Sequence, residues 1–292
     1  MLLKPFELPE NVKFTGPDLR LKTLPTHLVD SSAQLAAIKK AVQANAKVIR
    51  KAQKKMYADK KYAVLCVFQA MDAGGKDSMI THVFEGVDPI GFQTANFKQP
   101  TSEELTHDYL WRVEKQLPPR GYLGVFNRSH YEDVLVQRVH PELVLKQELP
   151  GIVKTADVTE AFWQQRYSDI RYWEEYLNRQ GYLILKFFLN ISKEEQASRF
   201  KGRLAVEKKN YKLSANDVKE RDFWPQYQDA YERAINNTAT PANPWYVIPA
   251  DDKWYSRYLV SNIISQAISQ LPLDYPVLAP EEKQRIIQEL KF

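Results

Sequence analysis

The sequence predicts an α/β protein built on a parallel sheet with helices on both faces. Three observations carry this. Short apolar runs alternate with helical patterns along the whole chain, the arrangement that builds strand–helix–strand units with right-handed crossovers. The first core run, residues 64–68, breaks into Gly74-Gly75-Lys76 and turns helical at once. The residues that follow the apolar runs are nearly all polar or charged, and such sheets bind ligands past the carboxyl ends of their strands.

The elements follow in order. Residues 1–30 carry prolines at 5, 9, 17 and 25 and little periodicity; they predict an extended arm packed on the body. Residues 31–57 turn helical, capped by Ser31 or Ser32, with Leu35, Ile38, Val42 and Val48 as the apolar stripe. The opposite face holds Lys47, Lys51 and Lys55 beside Arg50 and Lys54. From 39 to 61 there are nine Lys or Arg and one acid, Asp59. That is either a solvated helix face or an attractor for a polyanion.

Residues 62–69 read as the first strand, and the helix from Lys76 runs to about 85. Residues 92–97 are the second strand. Thr101 or Ser102 with Glu104 then opens a helix to about 116. The third strand, 122–126, ends in Asn127-Arg128-Ser129-His130-Tyr131, and a helix follows to 139. After an irregular stretch, 158–179 is a long helix with Phe162, Tyr167, Ile170, Trp173 and Leu177 inward. Residues 182–189 are a buried strand. Ser192 with Glu195 forms a capping box for a helix through 203. The very polar segment from about 204 to 225 has the composition of a mobile lid or of a solvated loop; within it Ser214 with Asp217 starts a helix to about 236. Residues 245–248 are the last strand, 251–271 the last long helix and 281–290 a short tail helix. With no internal repeat, residues 1–292 read as one domain.

Composition narrows the classes. Of 292 residues 44% are hydrophobic and 12% aromatic, which excludes a disordered chain. The net charge of +5 suits acidic partners. The single Cys66 lies in an apolar strand, so no internal disulfide or cysteine-rich metal site can form. No apolar run approaches the ~18 residues of a membrane span, and the first residues lack the apolar region of a signal peptide. The expectation is a cytoplasmic protein without a membrane partner.

The chemistry centres on residues 70–77. Strand, tight turn and helix start make an anion cradle, where backbone amides converge and Lys76 adds a full charge. The spacing compares with the phosphate-binding loop G-x-x-x-x-G-K-[ST], with Ala70 for the first Gly and Asp77 for the hydroxyl residue. The bland alternative is a Gly-rich turn with a surface lysine. Asp72 speaks for the loop: a carboxylate there repels phosphate unless it serves a metal such as Mg²⁺ or orients the attacking oxygen. Lys76 and the amides of Ala73, Gly74 and Gly75 would hold phosphates. Arg128 leaves the third strand where such folds place their second functional segment. Asn127 stands where an Asp is usual, so metal ligation would fall to Asp72 and Glu132.

Arg199 and Arg203 share a helix face, and Lys201, Lys208, Lys209 and Lys212 follow; a lid of this kind can bring arginine to a phosphoryl transition state. Other centres are weak. The histidines are scattered, with no H-x-x-x-H for zinc. Ser129, His130 and Asp133 sit too close along the chain for a triad. Trp224 and Tyr227 read as packing rather than base contacts.

QAMDAGGKDS, GFQTANFKQPTSEE, GVFNRSHYEDVLVQRVHPE, KFFLNISKEEQASRFKGRL, YKLSANDVKERDFW and PWYVIPADDKW together resemble the polyphosphate kinase 2 family, in the right order from about 30 to 270. In that family Ala at 70 and Asp at 77 are ordinary. The form FNRSHYE resembles the subgroup acting on nucleoside mono- and diphosphates. The resemblance implies a three-layer α/β/α phosphate-loop kinase fold similar to thymidylate kinase, with a helical lid. It implies inorganic polyphosphate as donor, AMP or ADP as acceptor, ATP in the reverse direction, Mg²⁺, and a homo-oligomer (dimer or tetramer). It assigns catalysis to Asp72, Lys76, Asn127 and Arg128. Ala73, Gly74, Gly75, Asp77, Lys98, Arg138, Arg199, Arg203, Lys208, Lys209 and Lys212 would bind phosphates, Glu132, Lys253 and Arg257 the nucleotide, and Asp72 with Glu132 the metal. Two readings compete: an ATP-driven nucleoside monophosphate kinase, and a nucleic-acid-binding module on the basic face of 39–61. The resemblance itself implies no nucleic-acid partner.

Overall fold

The computed structural model describes residues 8–290. Its centre is a six-stranded sheet in the order β1-β6-β5-β2-β4-β3. The strands are β1 (Lys13–Phe14), β2 (Ala63–Ala70), β3 (Phe92–Asn96), β4 (Leu123–Asn127), β5 (Tyr182–Asn190) and β6 (Trp245–Pro249). All neighbours pair in parallel except β1, which runs antiparallel to β6. β2 lies at the middle and every residue in it is buried, which is why its sequence is continuously apolar rather than alternating.

Alternation nevertheless divides the core. Val64, Cys66 and Phe68 face one side, with Leu185, Phe187 and Leu189 of β5. Helices α1 (Leu35–Asp59), α2 (Lys76–Val83) and α7 (Lys253–Ser269) cover that side. Leu65 and Val67 face the other, with Ile184 and Phe188. There α3 (Glu132–Val139), α4 (Glu160–Arg179) and α6 (Trp224–Thr238) pack. The result is three layers, as expected. Helix α5 (Lys193–Leu204) stands at the carboxyl end of the sheet, and α8 (Pro280–Glu289) has no buried residue.

Several expectations shift in detail. In α1 Ile49 is fully buried while Val48 is 39% exposed, so the apolar stripe runs through Ile38, Val42, Ala46, Ile49 and Met56. In α4 Trp163 is buried along with the expected Tyr167 and Trp173, whereas Phe162 is only half-buried. The helix expected from 102 to 116 is two single turns, Ser102–Leu105 and Trp111–Glu114. Asp108 splits them: its carboxylate accepts from the amides of Leu110 (3.0 Å) and Trp111 (3.1 Å) and restarts the chain. The Ser214–Asp217 capping box forms, but its helix ends at Lys219. A 3₁₀ turn, Glu220–Phe223, follows, and α6 starts afresh with proline in its first turn, where the missing N–H costs nothing.

The N-terminal arm is stitched to the body over residues 8–30; its first seven residues lie outside the described ones. β1 extends the sheet, and Leu19 and Leu21 enter the core. Their amides donate to Asn236 (2.9 Å) and Glu232 (2.8 Å). Thr26 donates its hydroxyl to Asp251 (2.7 Å), and the Ser31 amide donates to Asp252 (2.9 Å).

Candidate active site

β2 delivers the chain into a loop that turns back on itself and enters α2. The Gly74 amide donates to the Met71 carbonyl at 2.9 Å. Ala73 (φ +59°) and Gly75 (φ +97°) adopt left-handed backbone, which for alanine is a strained choice. A Cβ at Gly74 would run into the Ala70 methyl and the Met71 carbonyl. Ala70 fills the space that a glycine there would leave, and Gly74 yields to it.

Lys76 is 9% exposed, and its ammonium donates to the Ala70 carbonyl at 2.9 Å. Burial, reinforced by the charge of Arg128, lowers its pKa to about 8. In parallel register Phe68 of β2 stands opposite Asn127 of β4, so the end of β4 meets the start of this loop. Arg128 has φ +64°, and its guanidinium donates to Asp72 at 3.0 Å. Glu132, opposed by burial, and then Asp72 hold the Arg128 pKa above its ordinary value. Asn127 donates its amide to Asp77 at 2.9 Å.

The lid closes over this pair of loops. Ser192 caps α5 by accepting from the Glu195 amide at 3.0 Å. Glu195 does not complete a capping box: its carboxylate accepts from Arg199 Nε at 2.6 Å. The Arg199 fork then donates to the carbonyls of Ala73 (3.0 Å) and Ala250 (2.6 Å), tying the phosphate loop to the end of β6. Gln196 adds a bond to the Asp72 carbonyl at 2.9 Å. Beyond α5, Arg203 donates to the Lys212 carbonyl at 2.7 Å, and Lys212 donates to Asp77 at 3.2 Å. Burial works to raise the Asp77 pKa, but the bonds from Asn127 and Lys212 outweigh it and hold it low.

From the far wall, Asp252 caps α7 by accepting from the amides of Trp254 and Tyr255. That cap presents Lys253 and Arg257. Arg257 lies 4.4 Å over the Trp254 ring and donates to Ser78 at 2.7 Å. Burial and the charge of Arg199 lower the pKa of both. Together these parts enclose a cleft of about 1240 Å³, above the roughly 300–1,000 Å³ of a single small-ligand pocket. Nine Lys or Arg and four Asp or Glu line it. Its lining is strongly cationic, which suits anionic ligands.

Residues 32–274 match the family model described as polyphosphate kinase 2 (PPK2). The chain belongs to the polyphosphate kinase 2 family. It is 44% identical over 236 residues to an ADP-polyphosphate phosphotransferase of Rhodopseudomonas palustris, covering 81% of each chain. It is 47% identical over 228 residues to an AMP/ADP-polyphosphate phosphotransferase of Meiothermus ruber, covering 78% of this chain and 80% of that one. The crystal structure of polyphosphate kinase 2 from Arthrobacter aurescens superposes with a TM-score of 0.83 at 35% identity, covering 96% of both chains.

Within this polyphosphate kinase 2 fold, most of the residues singled out by sequence share the one cleft. Asp72, Ala73, Gly74, Gly75, Lys76, Asp77, Lys98, Asn127, Arg128, Arg199, Arg203, Lys209, Lys212, Lys253 and Arg257 all line it. Three stand outside its lining. Arg138 donates to Glu160 at 2.7 Å and lies over the Trp163 ring, because its turn of α3 faces α4 rather than the strand ends. Lys208 is exposed on the lid. Glu132 is half-buried behind Arg128 and, with the Gln69 amide oriented to suit its neighbours, accepts from that nitrogen at 2.8 Å. Asp77, though largely exposed, is engaged by Asn127 and Lys212. Gln69 and Gln196 escaped notice because neutral amides in an apolar strand and a charged helix carry no pattern.

Proposed function

We propose that this chain transfers a phosphoryl group between inorganic polyphosphate and adenine nucleotides, making ADP from AMP and ATP from ADP, reversibly and with Mg²⁺. The observation that carries the reading is the convergence of Lys76, Arg128 and the lid cations on one cleft of about 1240 Å³. Phosphoryl transfer asks little covalent chemistry of the protein and much charge and positioning. Donor and acceptor repel each other, so the cations must offset that repulsion where the reacting oxygens meet. Lys76 and the loop amides would hold the donor's terminal phosphates. Arg128 would leave Asp72 for the transferring group, and Lys253 and Arg257 would hold the acceptor's phosphate.

The donor set fits a Mg²⁺ that arrives with its phosphates. Asp72 is 31% exposed in the cleft and has one oxygen engaged by Arg128. Among the described residues no cluster of three or more His, Cys, Asp or Glu could cage a metal, and Mg²⁺ commonly takes only one or two protein carboxylates beside phosphate oxygens. Bound there, the ion would neutralise developing charge on the phosphates. Glu132, with an oxygen engaged by Gln69, would act through Arg128.

A cytoplasmic setting and a homo-oligomer belong to the same proposal. No helix among the described residues is long and apolar enough to cross a membrane. Val277 (92% exposed), Leu278 and Leu290 present apolar surface near the C-terminus, which supports self-association; light scattering at micromolar concentration tests it.

The decisive experiment incubates the pure chain with AMP or ADP, polyphosphate and MgCl₂ and follows ADP and ATP by chromatography. The reading expects both products, none after chelation by EDTA, and weakening with salt because polyphosphate is a polyanion. Absence of product with polyphosphate, alongside turnover of AMP with ATP, would sink it.

A further inference from the structure

A charged pair lies in the core, away from the cleft. Lys186, in the middle of β5, is fully buried, and Glu174 of α4 is 1% exposed. The Lys186 ammonium donates to Glu174 Oε2 (2.6 Å), the Thr238 carbonyl (2.9 Å) and the Tyr131 hydroxyl oxygen (3.2 Å), so all three of its hydrogens are placed. The Tyr131 hydroxyl donates its own hydrogen to Glu174 Oε1 at 2.7 Å. Burial works to raise the Glu174 pKa, but the Lys186 charge outweighs it and holds the carboxyl below its ordinary range. Burial in turn lowers the Lys186 pKa, and the contact has the geometry of a salt bridge.

Stability does not account for it. A buried ion pair replaced by apolar groups of similar size is often neutral or stabilising, and Met and Leu would suit this layer. What the pair does touch is Tyr131, the far end of the turn that begins with Asn127 and Arg128. Arg128 is the strained member, left-handed without being glycine. Such a conformation persists only where the surroundings over-determine it. Its near end is held by β2, where the Arg128 amide donates to the Phe68 carbonyl at 3.0 Å.

The far end is held by Tyr131. Its amide donates to Ser129 Oγ at 3.2 Å, and its ring meets Trp245 edge-on at 4.7 Å. Trp245 is itself fixed by donating its indole N–H to Thr238 at 2.9 Å. Between the two ends His130 is wedged against Tyr131 and Trp173, with its Nε2 3.7 Å from Glu174 Oε1, so the carboxylate that receives the Tyr131 hydroxyl also faces the residue before it in the turn. The hydroxyl of Tyr131 is the polar anchor at that end.

We propose that the Lys186–Glu174 pair is a positioning element for Arg128: through the Tyr131 hydroxyl it locks the turn that keeps residue 128 left-handed and its guanidinium on Asp72. The role assigned to Arg128 rests on the polyphosphate-kinase reading of the site; the locking of the turn does not.

The test uses Tyr131→Phe, which deletes one hydroxyl, and the double variant Lys186→Met/Glu174→Leu, which removes both charges together. Both fold cooperatively; the double variant melts a few degrees lower, because the Tyr131 hydroxyl and the Thr238 carbonyl lose their partners. Polyphosphate-driven kcat falls about 10- to 100-fold, as a misplacement of about 1 Å costs, while KM for ADP changes less than about twofold. In an Arg128→Lys background, read on its residual activity, Tyr131→Phe costs less than about threefold more, because the two act as a unit. Unchanged kcat in folded variants, or the full loss repeated in the Arg128→Lys background, overturns the proposal. A crystal structure of Tyr131→Phe decides the locking independently of activity: Arg128 is expected off Asp72, and retention of the left-handed backbone with the 3.0 Å contact overturns it. An unsubstituted chain inactive with polyphosphate refutes the proposed function and leaves that crystallographic answer standing.

Discussion

Raising the pH should make this protein more stable and less active through the same atom. The pKa of Lys76 is lowered from 10.5 to about 8 by burial and the charge of Arg128. In the free protein the ammonium is therefore about nine-tenths charged at pH 7 and about one-tenth charged at pH 9. Only the charged form grips phosphate, so kcat/KM for polyphosphate should fall about tenfold between those values, with a limb near pH 8. A lysine at its ordinary value would lose almost nothing over that range.

Stability runs the other way. Between pH 8 and 10.5 the unfolded chain binds the proton that the folded chain releases, so this group's contribution rises with pH. Below pH 8 the buried charge costs on the order of 3 kcal/mol, relieved as pH climbs through the window. Lys76→Met should therefore raise the melting temperature at pH 7, with the gain vanishing towards pH 10, while abolishing turnover. The assay is initial rate at limiting polyphosphate from pH 6.5 to 9.5, with melting curves of both proteins in the same buffers. A flat kcat/KM profile to pH 9.5, or a stability difference that does not shrink with pH, refutes the reasoning.

Other outcomes follow from the same geometry. Arg128→Ala should lower kcat by at least about a hundredfold with a cooperative melt retained; full activity would remove the site. Arg199→Lys should not rescue the fork that joins the Ala73 and Ala250 carbonyls, since an ammonium cannot reproduce its planar donors. One or two buried acceptors left unpaired cost about 1–3 kcal/mol each, read as a melting point several degrees lower and a reduced kcat. Lys212→Ala removes a bond between partners that are 38% and 64% exposed. Exposed pairs contribute little, so melting should move by less than about 2 °C while KM for polyphosphate rises several-fold; an unchanged KM would deny the lid a part in binding.

Much of this was readable in the chain. The run 64–68 with Gly74, Gly75 and Lys76 fixes a strand, a cradle and a helix start by local chemistry, and the structure keeps all three. Arg128 and Lys253 were legible because strand ends in a parallel sheet share one edge. What escaped depends on partners distant in sequence. Val48 and Ile49 compete for one helical stripe, and only the position of α7 decides between them. Arg138 carries the same charge as Arg128, yet Glu160 and Trp163 claim it. Arg199 looked like a transition-state cation, but three-dimensional packing hands its fork to backbone carbonyls. Asp108 split an expected helix with a single side-chain turn.

The stitched N-terminal arm has a consequence for biosynthesis. Its partners, Glu232, Asn236, Asp251 and Asp252, emerge from the ribosome more than two hundred residues after it, and contacts of such separation form slowly. The nascent chain therefore carries its leading segment unpaired until α6, and then β6 and the head of α7, appear. Because Asp252 also caps the helix that presents Lys253 and Arg257, a ribosome stalled before residue 250 would hold a phosphate loop with no wall opposite it. The wall that faces the phosphate loop is thus added only after the arm, the sheet and the lid have been synthesised.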